Sequence, residues 1–173
     1  MLAFYPNNTS VLKNNNKYVG YKACTMCHKS DKQGEQEKIW EGSKHSKAFE
    51  VLKSEEAEKI AGEKGLKTKA FEAKECLKCH VTAYGVDASL LEKKFNVEDG
   101  VQCEACHGAG SEYKSMKTMK DHASAVAAGL ADLKDTKNIK KLCETCHNSE
   151  SPTFKEFKFE EMWAKIKHPI PNK

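Results

Sequence analysis

Eight cysteines fall into four pairs of one spacing, Cys24 and Cys27, Cys76 and Cys79, Cys103 and Cys106, Cys143 and Cys146. Each pair is followed at once by a histidine, giving His28, His80, His107 and His147. With seven histidines in 173 residues, chance would put one behind all four pairs with a probability on the order of 10⁻⁶. Paired thiols can ligate zinc or close disulfides, and neither chemistry requires the fifth residue. The thioether chemistry of c-type haem does. Two thiols add across the porphyrin vinyl groups, and the adjoining imidazole becomes the proximal ligand of the iron. The motifs therefore predict four covalently bound haem c groups.

Removing the four proximal residues from seven histidines leaves His45, His122 and His168. A second imidazole makes a haem iron six-coordinate and low-spin, which suits electron transfer. If all three spare histidines ligate, one iron lacks a second histidine and takes methionine, lysine or water, or stays open. Met26 lies inside a motif, while Met116, Met119 and Met162 read most simply as apolar packing against porphyrin edges.

The elements that must hold these groups are short helices. The periodicity predicts them over 35–53, 55–63, 69–75, 88–94, 112–120, 123–128, 137–146 and 159–167. Ser54, Asp87 and Thr136 read as N-caps, and Asp121 caps the run that Gly129 ends. His45 lies on the first stretch, in which Ile39, Trp40, Ser43, Phe49 and Leu52 share a face; Trp40 is expected to pack against a cofactor. His168 ends the last helix, which Pro169 cannot continue. No alternating strand pattern is present. The fold expected is mainly α and irregular, a multihaem c-type cytochrome of short helices wrapped around four closely packed haems with little or no sheet.

Residues 1–17, rich in asparagine, read as a polar arm, and 18–173 as a single tetrahaem domain. Four macrocycles leave roughly 43 residues each, so the cofactors themselves must fill a middle that few aliphatic residues supply. With 31% charged residues, a mean hydropathy of -0.72 and no apolar run of membrane length, the chain does not read as integral to a membrane. All 29 basic residues are lysine, which removes bidentate phosphate recognition and argues against nucleic-acid partners. Haem propionates bring the formal +4 to roughly zero in the ferric holoprotein. Haem c is attached outside the cytoplasm, so a periplasmic or otherwise extracytoplasmic location is expected. The sequence shows no signal peptide and reads as a mature or truncated form.

Four stretches carry a resemblance to a known family. They are Trp40-x-x-Ser43-x-His45-x-x-Ala48; Cys79-His80-Val81 with Tyr84 and Gly85; Gly100-Val101-x-Cys103-Glu104-x-Cys106-His107-Gly108-x-Gly110; and the tail Phe157-Lys158-Phe159-Glu160-Glu161-Met162. Over about residues 20–168 the chain resembles the tetrahaem cytochrome c-554 family, whose known member accepts electrons from hydroxylamine oxidoreductase in nitrifying bacteria. The resemblance implies that His45 ligates opposite His147, His122 opposite His28 and His168 opposite His107. It leaves His80 as the sole protein ligand of a five-coordinate, high-spin haem two. It also implies that haem one stacks on three and haem two on four. Pro152 and Phe154, in a segment shorter than the family's, are implied to screen the vacant face of haem two.

The function expected is electron transfer between a multihaem oxidoreductase donor and a membrane-side or soluble acceptor, by a monomer or weak oligomer. No acid–base or nucleophilic group is assembled for catalysis. Two alternatives stand beside it. One is reduction of NO or a similar small oxide at the open iron, with Tyr84 as the nearest proton donor in sequence. The other is a haem-filament protomer, in which a neighbour's histidine completes haem two.

Overall fold

The computed structural model describes residues 15–170. Among them the regular structure is helical: α1 (Tyr21–Thr25), α2 (Gln36–Glu41), α3 (Glu55–Glu63), α4 (Lys74–His80), α5 (Cys103–His107), α6 (Met116–Met119), α7 (His122–Ala127), α8 (Thr136–Glu144) and α9 (Phe159–Ile166). Four short 3₁₀ turns interleave with them. No strand is present among the described residues, and one parallel bridge joins Tyr18 to Leu91. None of these helices is long and apolar enough to cross a membrane.

The helix over 55–63 forms with the expected bounds, because Ser54 accepts the Ala57 N–H at 3.2 Å and starts it cleanly. Asp87 and Asp121 cap as expected, accepting from Ser89 and Ser124. At α8 the cap is Asp135, and Thr136 is the first helical residue. The long helix over 35–53 does not form as one piece. It stops at Glu41 and resumes only as a 3₁₀ turn at Glu50–Lys53. The cause is local competition for carbonyls. Ser43 Oγ donates to Trp40 O at 2.7 Å, and Ser46 Oγ donates to Glu41 O at 3.0 Å and to Ser43 O at 2.9 Å. The stretch expected over 69–75 is a turn over 70–72, and the helix there, α4, starts only at Lys74 and runs through the second motif.

Apolar packing is sparse. One buried cluster joins Leu52, Ala61 and Ala70, with Leu66, Phe71 and Leu77 against it. Elsewhere buried residues larger than alanine are scattered, as with Val19, Val81, Tyr113, Ile139 and Phe159. Much of the order comes from hydrogen bonds between distant segments. Residues 16–21, which lead into and begin α1, form a strap that shows this best. Asn16, 8% exposed, donates to Ala128 O at 2.7 Å. Lys17 N–H meets Ser111 Oγ, Tyr18 N–H meets Leu90 O, and Tyr21 N–H meets Gln102 Oε1 at 2.9 Å. The last two residues of the expected arm are thus pinned to the body; residues 1–14 lie outside the described part.

Candidate cofactor-binding site

Each motif closes on a single helical turn. In motif one the Cys27 and His28 N–H groups both donate to Cys24 O at 3.1 Å. Motif two lies within α4 and motif three within α5. At the end of α8, Cys146 and His147 N–H donate to Cys143 O at 3.2 and 2.9 Å. Residues three apart on such a turn share a face, so both thiols of a pair project together with the following imidazole beside them. No disulfide joins any of the eight cysteines.

The motifs meet in two pairs. Cys24 and Cys103 stand close enough to shift one another's pKa, Cys24 upward and Cys103 downward. α1 packs on α5 at the same place. Cys79 and Cys146 make the equivalent contact between motifs two and four, where Lys78 and Glu150 form an exposed ion pair. Cys106 lies within electrostatic reach of Cys143 and Cys146, which brings motif three near motif four.

Two of the spare histidines come to proximal ones. His45 and His147 stand with ring centroids 6.1 Å apart and planes inclined at 68°. His107 and His168 are 5.8 Å apart at 42°. Imidazoles on opposite sides of one metal, with bonds of about 2 Å and about 1 Å more from each nitrogen to its ring centre, have centroids about 6 Å apart. The residues present therefore fit a haem iron between each pair. Among the described residues no three Cys, His, Asp or Glu side chains converge as a metal site built from protein alone would need.

The electrostatics favour the neutral form of these rings, the form that ligates a metal. Burial, then the charge of His147, holds His45 below the ordinary histidine value. Burial, then His168 and His28, pushes His107 down to about 4. His147 and His168 are also lowered, chiefly by burial. His147 stacks on Phe157 at 4.8 Å and 14°.

His80 is oriented differently. Its Nδ1 lies 2.6 Å from Ala48 O, so Nδ1–H is the donor and Nε2 keeps its lone pair for a metal. Ala48 belongs to the turn that begins at His45, and that turn is fastened to motif three. Val101 N–H donates to His45 O at 3.0 Å, and Trp40 Nε1–H donates to Val101 O at 2.7 Å. Gly100 is required there: its φ is +72°, and a Cβ would stand 2.8 Å from His45 O. Trp40 packs on Tyr21 with centroids 4.5 Å apart, next to motif one.

The remaining candidates sit apart from these pairs. His122 Nε2 lies 3.3 Å from Asp132 Oδ1 in an exposed contact. Pro152 occupies an exposed turn, and Phe154 is 39% exposed with its N–H on Ser151 O at 3.1 Å. Tyr84 is 43% exposed.

Three residues have positioning roles that the sequence does not assign, although Glu104 stands within the third motif. Gln102 is 1% exposed; besides accepting from Tyr21, its Nε2–H donates to Asn96 O at 2.8 Å. Glu104, between the cysteines of motif three, is 2% exposed and accepts backbone N–H groups from Val19, Gly20 and Gly110. Gln36 donates to Pro169 O, next to His168.

The model of the family "Cytochrome c554 and c-prime" matches residues 23–108, which hold the first three motifs and His45. Cytochrome c-554 of Nitrosomonas europaea is 33% identical over 101 residues, covering 56% of this chain and 40% of the relative. The match thus spans less than half the length of that relative. No solved structure matches. Over residues 23–108, the chain belongs to the cytochrome c554 and c-prime family.

Proposed function

We propose that the protein is an extracytoplasmic electron carrier holding one haem c at each of its four Cys-x-x-Cys-His motifs. Haem c supplies reversible one-electron chemistry; the chain holds the imidazoles, spaces the motifs and limits rearrangement between redox states. The observation that carries the reading is the pair of opposed imidazoles, His45 with His147 at 6.1 Å and His107 with His168 at 5.8 Å. Ligands held on both sides in advance keep reorganisation small when an electron arrives. The contacts of Cys24 with Cys103 and of Cys79 with Cys146 support pairing of motif one with three and two with four.

In this reading His80 serves an iron with no second histidine, and the bond from Nδ1–H to Ala48 O supports its role as a well-oriented proximal ligand. His122 serves the iron of His28 by exchanging its contact with Asp132 for the metal. Partners would be a multihaem donor and a membrane-side or soluble acceptor, steered by the lysine-rich surface.

The test is mass spectrometry and EPR of the purified holoprotein, with and without NO. Four haem additions, three low-spin irons and one high-spin iron that binds NO are expected. A protein lacking covalent haem, or one with six-coordinate bis-histidine iron at all four motifs, overturns the assignment. Steady-state turnover of NO at a physiological rate would replace the carrier with a reductase acting at the His80 iron.

A further inference from the structure

Glu104 is a carboxylate in an unusual place. It stands between Cys103 and Cys106, 2% exposed, and it holds the strap that leads into motif one. Val19 N–H is shared between its two oxygens at 2.9 and 3.0 Å, Gly20 N–H meets Oε2 at 2.8 Å, and Gly110 N–H meets Oε1 at 2.7 Å. A Cβ at Gly110 would come within 3.1 Å of Oε1, so the glycine admits the carboxylate. No lysine among the described residues forms an ion pair with it; nearby Lys114 is paired with Glu92 at 3.2 Å. The phenols of Tyr18 and Tyr113 both have raised pKa values, through burial first; Glu104 comes next for Tyr18, and Cys24 and then Glu104 for Tyr113.

Burial, the largest influence, raises the Glu104 pKa above the ordinary carboxylate value, and the three backbone N–H groups oppose it. The geometry decides for the ionised form. Every hydrogen-bond partner is a donor, so a protonated acid would turn its O–H against an N–H. A satisfied structural clamp needs no net charge, and burying one without a cation is costly. What the charge does must lie in its field, which is strong where water is excluded.

We propose that Glu104 is a fixed negative charge, built where motifs one and three meet, that biases the haems carried by those two motifs toward the ferric state. This rests on the haem assignment above. Reduction adds one electron to a ferric iron, with no bond made or broken and no proton taken up by Glu104. The anion opposes that added charge, so the pair is harder to reduce than it would be beside a neutral side chain.

The experiment is a spectroelectrochemical titration of the holoprotein with dithionite and mediators, comparing wild type with Glu104→Gln and Glu104→Asp. The amide keeps the shape and removes the charge. It is expected to raise two of the four midpoint potentials, with about tenfold more reduced haem at a fixed potential, or about 59 mV for a one-electron couple. The other two midpoints stay put. Aspartate keeps the charge but shortens its reach, so its four potentials remain near wild type although its melting temperature falls. Unchanged potentials in E104Q overturn the proposal, and so does E104D raising the same two potentials as far as the amide does. If E104Q yields no holoprotein, E104D decides alone: retained potentials support a charge effect, and raised ones refute it. A wild-type protein without covalent haem would instead sink the functional reading, a result that the mass spectrum separates from these.

Discussion

Gln36 Nε2–H donates to the Pro169 carbonyl at 3.0 Å, a contact that reaches across 133 residues of chain. The same nitrogen reaches Gln33 O, and Gly34 makes the approach possible, since a Cβ there would stand 2.9 Å from Pro169 O. The residue after His168 is thereby fastened to the first residue of α2. Gln36→Ala should cost about 1 kcal/mol for the lost bond and free His168 in a fraction of molecules. EPR of the holoprotein should then show a new high-spin signal; an unchanged spectrum would mean that the tail is held by other means.

Gly100 supports the turn that begins at His45. Gly100→Ala would place a side chain at φ +72° and 2.8 Å from His45 O, at a cost of about 1–3 kcal/mol. The bond from Val101 N–H to His45 O, 3.0 Å, would open with it. A lower melting temperature and weakened low-spin character at the His147 iron are the expected results, read by calorimetry and absorbance.

Trp40→Phe retains the ring against Tyr21 and removes only the Nε1–H that serves Val101 O at 2.7 Å. A half-buried carbonyl left without that donor costs about 1–3 kcal/mol, which chemical denaturation will register. By contrast, Lys78→Ala breaks an exposed ion pair with Glu150, and such pairs contribute little. Its melting temperature should match wild type.

Acid should destabilise the protein in a definable window. His107 has a folded pKa of about 4 against an ordinary value of 6.5. The unfolded chain therefore takes up its proton first, so the stabilisation is complete above about pH 6.5, declines as pH falls, and levels off below about 4. His45, His147 and His168 are shifted in the same direction. Glu104 is raised and acts in the opposite sense as it protonates, but it is one group against four. Urea midpoints at pH 7 and pH 4.5 test the sign; equal midpoints would contradict it.

The site was far more legible in the sequence than the path of the chain that holds it. Cys-x-x-Cys-His is a local pattern, and a helical turn satisfies it wherever it occurs. Counting histidines singled out His45, His122 and His168; the rings of the first and last lie 6.1 and 5.8 Å from those of His147 and His107, whereas His122 stands beside Asp132. Helix bounds were legible where a capping side chain lies next to its helix, as at Ser54. They failed over 42–49, where Ser43 and Ser46 take carbonyls that periodicity assigns to a helix. Glu104 was visible only as a letter of the third motif, and the roles of Glu104, Gln102 and Gln36 were opaque because each also bonds a segment far away in the chain, which no spacing announces.

The strap at 16–21 has a consequence for how the molecule matures. Motif one is made first, yet the groups that fasten the strap ahead of it, from Leu90 to Ala128, are synthesised later. A nascent chain can close its first helical turn early but has nowhere to dock it until most of the polypeptide has emerged. Products that stop before residue 104 would leave that end open to proteases, a built-in proofreading of chain completion.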